Sequence, residues 1–166
     1  MAITQTAHGK VMQPPVWCNE LETLSIPVDL PTTTGKRLIR VILPATLAGD
    51  VLDISFKVGL TNNAGYVIGA GAHIWYYPYL DPDGWAKRVQ ISDMLTGQNV
   101  DTNIVHHLPM AASFSWRVPA DWDWGRMGLA LVVDAHSTAW KPGDTLKVES
   151  GYAQLRVHRW TDPPAA

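Results

Sequence analysis

From Val51 to Thr61 the chain reads VLDISFKVGLT, in which Leu52, Ile54, Phe56, Val58 and Leu60 alternate without a break with Asp53, Ser55, Lys57, Gly59 and Thr61. A period of two places all five apolar side chains on one face of an extended strand and the others on the opposite face. Composition extends this to the whole chain. Eight tryptophans, five tyrosines, 13 glycines and 12 prolines among 166 residues make it aromatic and frequently punctuated, which suits short strands and turns. No segment reads as a long amphipathic helix. The turn residues NNAG at Asn62 to Gly65 supply positive φ, so this strand is expected to fold back on Tyr66 to Tyr77 as an antiparallel hairpin.

That second segment, YVIGAGAHIWYYPYL from Tyr66 to Leu80, carries no formal charge. As a strand it shows Tyr66, Ile68, Ala70, Ala72, Ile74 and Tyr76 on one face and Val67, Gly69, Gly71, His73, Trp75 and Tyr77 on the other. A large side chain or another backbone is expected over Gly69 and Gly71. A membrane span is disfavoured, because the stretch is shorter than the roughly 20 apolar residues such a helix needs and contains Pro78. DPDG at Asp81 to Gly84 reads as a tight turn into a strand from Trp85 to Ile91, and SDMLTGQNVD as an irregular loop or short helical turn. Further strands are expected at Ser25 to Leu30, Leu38 to Leu43, Ile104 to Met110, Ser113 to Val118, Met127 to Ala135, Thr145 to Glu149 and Gln154 to Trp160. About ten strands exceed what one small sheet holds, so the expected fold is an all-β, two-sheet antiparallel sandwich of jelly-roll type. Gly-Asp turns precede strands in both LAGDVLDIS and KPGDTLKVES, a likeness that turn chemistry alone explains.

The length fits one domain. Residues 1–20, rich in polar groups and proline, read as an extended N-terminal arm; residues 21–160 form the sandwich, and residues 161–166 a proline-stiffened tail. Thirteen Lys and Arg against 15 Asp and Glu give a formal charge of -2, which offers no footprint for nucleic acid or an anionic membrane. The single cysteine, Cys18, reads as a small buried apolar group. No apolar stretch follows a basic start, so secretory export is not expected and folding in a reducing cytoplasm fits.

Candidate chemistry is sparse. His106 and His107 are adjacent and point to opposite faces in a regular strand, while His73 and His136 fall in separate strands. No spacing characteristic of zinc is present. DAHST at Asp134 to Thr138 puts Asp134 and His136 on one face with Ser137 turned away, and no nucleophile elbow exists. PADWDWG sets Asp121 and Asp123 between Trp122 and Trp124, a mixture a sugar-binding or glycosidase loop could use, or equally a sandwich corner. DPDG starts like a calcium loop, but position twelve is Ser92 where glutamate is needed. The expectation is therefore a non-enzymatic protein with no catalytic residue, no cofactor and no metal. The residues expected to make contacts are the aromatic rings Trp122, Trp124, Trp85, Tyr79 and Trp17, with Trp122 and Trp124 the most exposed among them.

The run NVDTNIVHHLPMAASFSWRVPADW, followed by GLALVVDAHSTAWKPGDTLKVESGYAQLRVHRW, resembles the small β-sandwich virion proteins of tailed bacteriophages, particularly those infecting actinobacteria. The resemblance covers Val51 to Trp160. It implies a head-decoration or minor tail protein, homo-oligomeric and most simply a trimer, in contact with major capsid or tail proteins and assembled in the host cytoplasm. The alternative is a carbohydrate-binding module that presents Trp and Tyr rings to a glycan.

Overall fold

A computed structural model of the chain describes residues 6–7, 9–12, 16–18, 28–30, 36–43, 46–62, 66–91, 96–100, 108–123, 125–136, 141 and 146–162. Twelve strands run through them: β1 (Thr6–Ala7), β2 (Lys10–Met12), β3 (Val16–Cys18), β4 (Val28–Leu30), β5 (Lys36–Leu43), β6 (Val51–Asn62), β7 (Ile68–Pro78), β8 (Val89–Gln90), β9 (Thr96–Val100), β10 (Leu108–Arg117), β11 (Met127–His136) and β12 (Leu146–Thr161). None of the described residues is helical.

The strands form two antiparallel sheets. In the first, β12 and β6 lie side by side with β10 beyond β6, and the far edge of β12 is lined in succession by β4, β3 and β2. The second runs β5, β11, β7, with β9 and β8 sharing the outer edge of β7. With β1 beyond β2, the first sheet is five strands across at that end and the second is four, and the chain crosses repeatedly from one to the other, which is jelly-roll architecture. Apolar residues at alternate positions meet between the sheets: Leu52, Ile54, Phe56, Val58 and Leu60 from β6 face Ile68, Ala70, Ala72 and Ile74 from β7 and Met127, Leu129, Leu131 and Val133 from β11. Burying each large aliphatic side chain contributes about 1.5–3 kcal/mol, so this layer dominates the stability.

Several expectations change. The strands β6 and β7 do not form a hairpin, since β6 pairs with β10 and β12 while β7 pairs with β11, β8 and β9. Both strands bury a strongly apolar face, and both faces are satisfied only when the turn carries the chain across the sandwich; Asn62 Nδ2 donates to the Tyr66 carbonyl at 2.9 Å to hold that crossing. The expected strand from Trp85 to Ile91 shrinks to Val89–Gln90, because the preceding residues make i to i+3 backbone bonds, Gly84 to Asp81 and Ala86 to Asp83 at 2.9 Å each. Inside the expected loop SDMLTGQNVD lies β9. The pairs of strands expected at 104–118 and 145–160 are single long strands, β10 and β12, the latter interrupted by a register shift between Val148 and Ala153.

The described part of residues 1–20 is not an outstretched arm. Gly9 at φ 74° turns β1 back on β2, and β2 and β3 pair with β12 of the same domain. Lys10, buried, donates to Asp162 Oδ1 at 2.6 Å. The physical reason is the open edge of β12, whose backbone groups these short strands satisfy.

Candidate functional site

The outward face of the second sheet gathers most of the unusual side chains. Its middle strand, β11, presents the small residues Gly128, Ala130 and Val132 there, followed by Asp134. In register across the sheet, Val132 lies between Arg37 and His73, Ala130 between Arg40 and Trp75, and Gly128 between Ile42 and Tyr77. Large side chains from the flanking strands therefore lie over the middle one. A Cβ on Gly128 would stand 2.3 Å from Cζ of Tyr77, so the glycine is what lets that ring lie flat.

The loop from Tyr79 to Arg88 folds over this face. Its first turn is held by Asp81: Oδ1 accepts from the Asp83 N–H at 2.8 Å, the carbonyl accepts from the Gly84 N–H, and Oδ2 pairs with Lys87 Nζ. The Lys87 hydrogen bond, then the Asp83 N–H, hold the Asp81 carboxyl below the usual carboxylate range. Gly84 has no substitute here, because a Cβ would sit 2.0 Å from the Pro78 carbonyl oxygen.

The loop delivers Trp85 edge-on to Tyr77, with centroids 5.3 Å apart and planes at 86°. The guanidinium of Arg37 lies 4.4 Å from the Trp85 ring centre and that of Arg88 4.8 Å from it. Arg88 also stands 5.2 Å from Trp75, and Arg40 5.7 Å from Tyr79. Each such contact is worth about 0.5–1 kcal/mol at an exposed site. Arg88 is further fixed by donating Nη1 to the Trp85 carbonyl at 2.9 Å.

Beside this stack is a cavity of about 210 Å³ between His73, Trp75, Trp85, Arg88, Gln90 and Asp134. His73 Nε2 lies 3.0 Å from Asp134 Oδ2, and Gln90 Nε2 lies 3.2 Å from His73 Nδ1. With the amide nitrogen of Gln90 as donor, Nδ1 accepts and Nε2 carries the hydrogen toward Asp134. Both ring nitrogens are engaged, which fixes the orientation of the imidazole. The Trp75 indole N–H is buried with no hydrogen-bond partner among the described residues.

Two residues named from sequence, Trp85 and Tyr79, belong to this assembly, and His73 proves to be the partner of Asp134. Trp122 does not belong to it, and its expected exposure is corrected: the ring is 9% exposed and part of the core. A turn closed by the Trp122 N–H on the Pro119 carbonyl at 3.2 Å tips it onto Tyr76, edge to face at 5.8 Å. Tyr76 in turn lies 4.9 Å from Trp116. Burial, and then the charge of Asp121, push the Tyr76 phenol above its usual range. Asp121 and Asp123 are exposed. Trp17 lies in β3 opposite Arg156, its side chain outside the described residues, as are Trp124, His106, His107 and the side chains of Cys18 and His136. Sequence reasoning missed Arg37, Arg88 and Gln90. The signal for Arg37 and Gln90 was polar residues alternating with apolar ones in strands whose outward neighbours are small, while Arg88 closes the loop before β8 and carried no such signal. Among the described residues no three His, Cys, Asp or Glu side chains converge as a metal site, and no helix is long and apolar enough to cross a membrane.

No protein-family model matches the chain, and no curated protein matches it in sequence. Among solved structures, a chain from infectious bursal disease virus, Gx strain, is similar over 95% of this chain and 37% of its own length, at 12% identity and a TM-score of 0.51. The N-terminal modules of xylanase 10B from Clostridium thermocellum, a CBM22-1–GH10 chain complexed with xylohexaose, match over 90% of this chain and 27% of their own, at 12% identity and a TM-score of 0.43. This chain therefore spans about a third of the length of the viral chain. At such identity what is shared with the viral chain is the sandwich fold.

Proposed function

We propose that the chain is a non-enzymatic structural protein of a virion, a head-decoration or minor tail protein of a tailed bacteriophage, whose copies associate through the outward face of the second sheet. The observation that carries this reading is the packed face of Arg37, Arg88, Trp75, Tyr77 and Trp85. Tryptophan, tyrosine and arginine are the residues on which protein interfaces concentrate their energy. Here the rings hold the guanidinium groups in place before any partner arrives, which lowers the entropy lost on association. The sandwich fold shared with a viral chain supports the same reading by analogy.

A trimer formed by head-to-tail contacts is the simplest closed assembly, formed in the host cytoplasm and completed on capsid or tail proteins. The glycan-binding alternative uses the same rings. Their faces are covered by guanidinium groups at 4.4, 4.8 and 5.2 Å, the positions a sugar ring would need for stacking. That favours assembly.

Sedimentation of the purified chain, alone and with phage particles lacking it, tests the proposal. The expected outcome is concentration-dependent association or particle binding. Trp85→Ala should weaken either by about 2 kcal/mol while the circular dichroism of the sandwich persists. A chain that stays monomeric and does not bind particles contradicts it, and saturable binding on a glycan array, abolished in Trp85→Ala, would favour the alternative.

A further inference from the structure

The outward face of the first sheet is built on a different plan. Three neighbouring strands set two rows of polar residues in register: Ser113, Ser55 and Arg156 in one, and Ser115, Asp53 and His158 in the next, drawn from β10, β6 and β12. Together they line a shallow groove of about 470 Å³. Its single carboxylate is already committed. Asp53 Oδ1 accepts from Ser115 Oγ at 2.5 Å and Oδ2 from the Trp160 indole N–H at 2.6 Å. Arg156 is exposed and has no ion pair among the described residues, and Lys57, one row further along the same face of β6, is exposed as well. The Nε2 atom of His158 is buried with no hydrogen-bond partner among the described residues, an arrangement that an incoming acceptor would relieve on rotation of the ring.

We infer that this groove binds an acidic saccharide, its carboxylate or sulfate on Arg156 beside His158 and its hydroxyls over Ser55 and Ser113. Charge sets the sign of the ligand. The two oxygens of Asp53 are taken by Ser115 and Trp160 and its charge is outnumbered by Arg156 and Lys57, so the groups left to meet a ligand are cations and hydroxyls, and a guanidinium recognises a carboxylate or sulfate through paired N–H bonds. Size and lining set its kind. The groove falls within the range of small-molecule sites and is much larger than a bare oxyanion, and its floor of serines offers donors and acceptors suited to a polyhydroxylated ring. Among the described residues no tryptophan or tyrosine ring lines the groove, which separates this site from a sugar platform built of the second sheet's rings. The inference does not rest on the assembly role, because the groove lies on the opposite sheet.

The test is calorimetric titration of the full chain with glucuronic acid and glucose 6-sulfate, against glucose, acetate and inorganic sulfate. The expected result is saturable binding of at least one acidic sugar, with glucose and the free anions each weaker by roughly tenfold or more. Arg156→Ala should lower that affinity by a similar factor and Arg156→Lys by less, both with unchanged circular dichroism. Glucose binding as tightly as the acidic sugars would overturn the role of the anion, and acetate or sulfate binding as tightly would overturn the role of the sugar. Absence of binding by every probe, or affinity unaltered in Arg156→Ala, would overturn the site itself. Sedimentation of Arg156→Ala should match the wild type, so failure here is distinguishable from failure of the assembly role.

Discussion

The two outward faces of this sandwich start from the same architecture and end in opposite conditions. On the second sheet the middle strand shows Gly128, Ala130 and Val132, and the larger side chains around them stack on one another under a folded loop. On the first sheet the corresponding middle strand shows Asp53, Ser55 and Lys57, flanked by serines, Arg156 and His158, and no described loop covers them. Small apolar residues in the centre invite neighbouring rings to lie flat, and the polar groups there are consumed internally. Small hydroxylated residues leave a groove whose hydrogen-bonding capacity is directed at solvent. The difference between a packing face and a recognition face thus arises from three alternating positions on one strand in each sheet.

The contrast can be broken most directly at Gly84. In Gly84→Ala the new methyl group meets a backbone oxygen of Pro78 that cannot rotate away, so the loop must lift from the second sheet. A loss of roughly 2 kcal/mol or more is expected in denaturant unfolding, together with an altered tryptophan fluorescence as Trp85 leaves Tyr77. A smaller effect is expected of Trp85→Ala, which removes one edge-to-face contact and two cation–π contacts and should cost about 1–3 kcal/mol of fold stability. The matching truncation on the other sheet, Ser113→Ala, should change stability by no more than about 0.5 kcal/mol, because that hydroxyl is exposed. Equal losses at Trp85 and Ser113 would erase the distinction between the faces.

Much of this was legible in the sequence, and the limits were physical. Alternation in VLDISFKVGLT marked which face of β6 is buried, and in Tyr66 to Tyr77 it sorted the side chains into the two faces that β7 shows. It could not name the neighbour, since a period of two specifies a face and leaves pairing open, which is why the expected hairpin became a crossing between sheets. The stretch from Trp85 to Ile91 read as a strand following the DPDG turn, yet Asp81 and Gly84 start a series of tight turns. Flanking aspartates made Trp122 look exposed, while the Pro119 turn aims it inward. The pairing of His73 with Asp134 spans 61 positions and depends wholly on the register of β7 against β11.

The smallest expected effect is a pH dependence of the covering loop. Asp81 titrates below the usual carboxylate range in the folded chain, so its stabilisation is fully present above the unfolded value of about 3.9 and is lost as pH falls through the lower folded value. Acid unfolding monitored by fluorescence should therefore lose a component in Asp81→Asn, whose stability at neutral pH would already lack it. An acid limb identical in both chains would show that Lys87 and the Asp83 N–H do not stabilise the ionised form.

The central claim, that copies meet on the second sheet and leave the groove of the first accessible, is tested most directly by an electron cryomicroscopy map of the assembled particle. The account predicts density from a neighbouring subunit against Arg37, Trp75 and Trp85, with Ser55, Ser113 and Arg156 facing solvent. A map in which the neighbour covers the serine groove while the arginine and tryptophan stack faces solvent would contradict it.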